Sequence, residues 1–115
     1  MEKVETLTFS EDEILYLLVI SGVEDDETFA RFQLQSVDTT KDRLLKGRES
    51  LLARDLIEFA DKSEIPVMDD TLIGLVGTVT VGEIVNGNYV DIQTNWKSDF
   101  VKEAGWYVFK GEEVR

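Results

Sequence analysis

The sequence predicts an α+β fold, N-terminal helices of winged-helix-like order followed by a small antiparallel β-sheet, in a single domain over residues 1–115. Three observations predict it. A helix-start signature stands at Ser10-Glu11-Asp12-Glu13, an apolar stripe recurs at helical spacing over about residues 40 to 60, and the C-terminal third turns to strand-like alternation around Asn86-Gly87. Helices first and sheet second is the order of an α+β plan.

Taken in order, Ser10 caps the first helix, Glu13 three residues on completes a capping box, and Phe9 is placed to staple onto Ile14. Ile14, Leu15, Leu17, Leu18 and Ser21 follow at helical spacing, and Gly22 supplies a left-handed stop, so the helix covers about residues 11 to 21. Residues 24 to 37 carry two patterns. Glu24-Asp25-Asp26-Glu27 caps a short helix through Phe29 and Phe32, whereas Phe32-Gln33-Leu34-Gln35 alternates as a strand does, and the short helix is the expectation. Thr39 with Asp42 is a second capping box, and it opens the longest helix, about residues 40 to 60, anchored by Leu45, Leu52 and Leu56 with Leu15 and Leu18 nearby. Gly47 inside that helix is either tolerated at about 1 kcal/mol or marks a close helix contact.

Asp61-Lys62-Ser63-Glu64 reads as a turn and Ile65-Pro66-Val67 as an extended piece, because proline removes a donor and biases the preceding residue away from the helix. Asp69 or Asp70 caps a short apolar element from Thr71 to Val76, taken as helix and ended by Gly77. Val79, Val81 and Val85 then alternate before Asn86-Gly87, and Val90, Ile92, Thr94 and Trp96 alternate after it, the pattern of a hairpin with a tight turn. A loop or single helical turn over Ser98 to Ala104 leads to a third strand, Trp106 to Lys110.

Composition narrows the chemistry. At 115 residues and 43% hydrophobic content, the chain can bury a core without disulfides or a structural metal. Cysteine and histidine are both absent, which excludes thiolate and imidazole zinc sites, cysteine nucleophiles and any Ser-His-Asp triad. No catalytic residue, cofactor site or metal site is expected, and the protein is expected not to be an enzyme. The net charge of -12 repels nucleic-acid phosphates and anionic membranes, so neither is an expected partner. No apolar run approaches the roughly 18 residues of a membrane span. The start Met1-Glu2-Lys3-Val4-Glu5 lacks the basic-then-apolar order of a secretory signal, so a cytoplasmic location is expected.

Charge is unevenly placed. Residues 1 to 27 hold nine acids against Lys3 alone, while residues 39 to 54 hold Lys41, Arg43, Lys46, Arg48 and Arg54 against Asp42 and Glu49, so the two segments are expected to attract each other. The basic helix also admits a DNA-reading, winged-helix role, which the overall charge opposes. The acid clusters Glu11-Asp12-Glu13, Glu24-Asp25-Asp26-Glu27 and Asp69-Asp70 lack the spacing of a calcium loop and read as helix caps. Gly74, Gly77 and Gly82 miss the spacing of a phosphate-binding loop. Trp96, Trp106, Tyr107 and Phe109 concentrate aromatic area in the last twenty residues, and on a sheet covered on one side only they are the candidate partner-binding residues.

Leu7-Thr8-Phe9-Ser10-Glu11-Asp12-Glu13-Ile14-Leu15-Tyr16-Leu17-Leu18, followed by Gly47-Arg48-Glu49-Ser50-Leu51-Leu52-Ala53-Arg54-Asp55-Leu56-Ile57, resembles the N-terminal part of the EspG-type accessory proteins of type VII secretion, over roughly residues 7 to 76. The resemblance implies a cytosolic, non-enzymatic protein that binds secreted helical substrates. The leading expectation is therefore a protein-binding module, an accessory or chaperone of a type VII-like secretion system, whose partner is another protein, basic or helical, or a second copy in a homodimer. Two alternatives stand beside it: a winged-helix-type transcriptional regulator, and an acidic immunity or nucleic-acid-mimic protein that neutralises a basic partner.

Overall fold

The computed structural model describes residues 4 to 114. Met1-Glu2-Lys3, on which the expectation of no secretory signal partly rests, and Arg115 lie outside the described residues. The fold is α+β, with helices toward the N-terminus and a five-stranded antiparallel sheet made of one strand before them and four after. The chain gathers into two compact units: Ser10–Met68, and the leading strand through Phe9 together with the chain from Asp69 onward.

The helical unit begins with α1, Glu11–Ile20. The expected capping box is present: the Glu13 backbone N–H donates to Ser10 Oγ at 3.2 Å, and the Ser10 N–H donates to Glu13 Oε1 at 2.8 Å. Gly22, at φ +80, closes the helix, with its N–H on the Val19 carbonyl and that of Val23 on the Leu18 carbonyl. The ambiguous stretch resolves as the short helix expected, α2 over Asp26–Arg31, capped by Asp25. Residues 32 to 35 form no strand, and a 3-10 turn follows at Ser36–Asp38.

The longest helix, α3, is Lys41–Ala53, shorter than the expected 40 to 60, and its cap is Thr40 rather than Thr39. Asp55 takes the left-handed conformation at φ +58, its N–H meets the Leu52 carbonyl, and the Leu56 N–H meets that of Leu51. This is the same stop as at Gly22, built without glycine. Ile57–Glu58 (β2) then pairs antiparallel with Val67–Met68 (β3) in a two-stranded ribbon. The anchoring face is also corrected. Leu45 is 50% exposed and Leu52 and Leu56 are only half-buried, whereas Gly47 and Leu51 are buried. The inward face carries a small residue and polar groups, so counting leucines misplaced it by about one position. Gly47 is the close contact: a Cβ there would lie on the Asp12 carbonyl of α1.

In the sheet unit, Asp69 caps a continuous helical run of α4 (Asp70–Leu72), a π-helical stretch (Ile73–Gly77) and α5 (Thr78–Val81). Gly77 does not end it, and Val79 and Val81 are helical, not in the hairpin. Leu72, Leu75, Val76 and Val79 are buried at intervals of three and four, and burial of that face outweighs the strand preference of valine. The sheet order is β1-β7-β6-β5-β4, from Val4–Ser10 (β1), Glu83–Val85 (β4), Asn88–Asp91 (β5), Trp96–Glu103 (β6) and Trp106–Glu113 (β7). The Asn86-Gly87 turn is as expected, with both φ positive.

Three corrections concern the strands. The sequence reading did not place β1, which lies beside β7. Ile92 and Thr94 lie in the β5–β6 connection instead of continuing a strand into Trp96. Ser98 to Glu103 is strand, not loop, because a two-residue turn at Ala104-Gly105, again with both φ positive, folds β6 directly onto β7.

Candidate partner-binding surfaces

The alternation of β7 separates the four aromatic candidates. Tyr107 and Phe109 point inward and are fully buried. There Phe109 lies 5.5 Å from Phe9, edge to face, and 5.0 Å from Phe100, stacked, and Phe100 lies 5.6 Å from Tyr107. Trp96 is buried as well, its ring lying where a side chain on Gly74 of the π-helical stretch would stand. Beside it opens a cleft of about 300 Å³ lined by Asp70, Ile73, Gly74, Thr94, Trp96 and Glu113. Trp106 alone of the four is substantially exposed, at 51%.

Register completes the outer face. Trp106 lies opposite Glu103 and Val108 opposite Val101, which is 57% exposed. Further along the same two strands Asp99 faces Lys110, and Lys97 bonds Glu112 at 2.7 Å. One end of the face is therefore apolar with an acid at its border, and the other is a set of opposite charges across the strands. The expectation of a loop or single helical turn over Ser98 to Ala104 hides Val101 and Glu103 as surface residues of a strand. The signal was present in the alternation of Trp96, Ser98 and Phe100 against Lys97, Asp99 and Val101.

The helical unit accounts for much of the basic stretch. Arg43 Nε donates to Asp12 at 2.7 Å, Nη2 to Glu11 at 3.2 Å, and Nη1 lies 3.8 Å from Asp38. The hydrogen bond to Asp12, with the surrounding acids, raises the Arg43 pKa above its ordinary value. Glu13, 1% exposed, receives the Ser50 hydroxyl at 2.9 Å and Arg54 Nη1 at 2.9 and 3.0 Å. A buried carboxylate needs this many donors to offset its lost hydration. The acid clusters are also occupied locally: Asp25 accepts from the Thr28 N–H and hydroxyl, which lowers its pKa, and Asp69 accepts from the Thr71 N–H. Among the described residues no group of three or more acids is placed to hold a metal ion, and no helix is long and apolar enough to cross a membrane.

No family model, curated protein or solved structure matches the chain.

Proposed function

We propose that this protein is a non-enzymatic binding module that docks another protein through the outer face of its sheet, in the cytoplasm. The observation that carries the reading is Trp106, a tryptophan left half exposed beside Val101 and opposite Glu103, while its neighbours Tyr107 and Phe109 are fully buried. An exposed aromatic with an apolar neighbour and a charged border is the composition of an interface hot spot. The acidic border, on a chain of net charge -12, favours a partner segment that sets basic residues around an apolar anchor. The secretion-accessory role is one setting for such binding and rests on the resemblance alone. The DNA-reading alternative draws less support, because Arg43 and Arg54 are engaged with the acids of α1.

The test is capture from a lysate of the native host on immobilised wild type and Trp106→Ala, washed at low and high salt. Proteins retained by the wild type, released by salt and lost with Trp106→Ala support the reading. Equal retention by both forms removes it.

A further inference from the structure

The helical unit carries a cleft of its own. Beside α1 and the first half of α3 is a cleft of about 420 Å³ lined by Tyr16, Thr39, Lys41, Leu44, Leu45 and Arg48. Its size falls within the roughly 300 to 1,000 Å³ of small-molecule sites. No acid lines it, on a chain with 24 acids and 12 bases. The wall is apolar and open, with Leu45 half exposed. The rim is cationic and hydroxylic. Among the described residues no carboxylate lies within ion-pair distance of Lys41. Arg48 is held in place, its guanidinium 4.8 Å above the Phe59 ring and one nitrogen 3.0 Å from Glu49. The Tyr16 hydroxyl is protonated at neutral pH, as an unperturbed tyrosine is, and burial, with Arg48 opposing in part, moves its pKa further up, so it can donate a hydrogen bond to an anion. The N-terminal end of α3 adds a positive dipole at Lys41.

We infer that this cleft binds a small amphipathic monocarboxylate, its apolar body against Leu44 and Leu45 and its carboxylate between Lys41 and Arg48. The single charge follows from electrostatics: a net charge of -12 opposes a nucleotide, a polyphosphate or an acidic peptide far more than one carboxylate. The apolar body follows from the two leucines, which an inorganic anion would leave in water.

The probe is octanoate, titrated into the isotope-labelled full chain and followed by amide chemical shifts, with octan-1-ol and inorganic phosphate as controls. A ligand of about ten non-hydrogen atoms should saturate at roughly millimolar concentration. Saturable shifts are expected at Tyr16 and over residues 39 to 48. Lys41→Ala and Arg48→Gln should each weaken binding about tenfold, and Leu45→Glu, at a half-exposed position that leaves the fold intact, should abolish it. The inference is overturned if octanoate gives no saturable shift, if octan-1-ol or phosphate binds as tightly, or if folded Lys41→Ala and Arg48→Gln bind as the wild type does.

Discussion

In the helical unit the two longest helices meet through charge and a missing side chain, with Glu13 buried against Arg54 and Gly47 against the Asp12 backbone, whereas in the sheet unit Phe9, Phe100, Tyr107 and Phe109 meet ring to ring. The difference bears on where binding surfaces lie. Pairing with the acids of α1 engages Arg43 and Arg54, whereas Arg48, paired with Glu49 on its own helix, and Lys41 line a cleft that has no acid in its wall. In the sheet unit the inner face takes up three of the four C-terminal aromatics and leaves Trp106 on the outer one.

The largest difference in stability is expected between neighbours on one strand. Tyr107→Ala should cost about 3 to 5 kcal/mol, as for a fully buried aromatic, and Trp106→Ala less than about 1 kcal/mol, both read from urea unfolding. Equal losses would erase the distinction between the two faces. On the charged side, Glu13→Gln leaves Arg54 without its carboxylate. Because the Arg54 side chain is 35% exposed and can rehydrate, the loss should be about 2 kcal/mol, below that for a fully buried pair. A change within about 0.5 kcal/mol would mean that the seam is held by packing and not by charge.

A pH titration sharpens the same contrast. The pKa of Tyr16 is raised in the folded protein, so above pH 10 the unfolded chain loses that proton first. The stability that comes from keeping Tyr16 neutral is complete below about pH 10 and is lost as pH rises through the folded value. Tyr16→Phe should flatten the alkaline limb of stability against pH, and an unchanged limb would show that burial of this hydroxyl is not its source. The smallest effect expected is a gain: Ala104 holds φ +50 in the β6–β7 turn, where asparagine is at ease, so Ala104→Asn should add about 0.5 to 1 kcal/mol in thermal unfolding.

What the sequence made legible was local chemistry with a specific signature. Ser10 with Glu13, Gly22, and Asn86-Gly87 each announce one backbone geometry, and each is found. What escaped was either disguised or distant. Asp55 and Ala104 adopt left-handed conformations without being glycine, so the end of α3 and the β6–β7 hairpin carried no strong marker. Strand β1 pairs with β7 from the far end of the chain, which no window along the sequence can register. The aromatic cluster was legible as a group, and alternation divided it into two sets. Only the packing of Phe100 and Phe109 on Tyr107, and of Phe9 on Phe109, fixes which set faces outward.

In the proposed function, Trp106 anchors a partner on the outer face while contributing little to the fold. The most direct test is the equilibrium affinity of the captured partner for the wild type and for Trp106→Ala, each shown to be folded under the assay conditions. A loss of at least about tenfold, equivalent to about 1.4 kcal/mol, is expected, with a steeper salt dependence for the wild type than for the variant. An unchanged affinity for folded Trp106→Ala would contradict it.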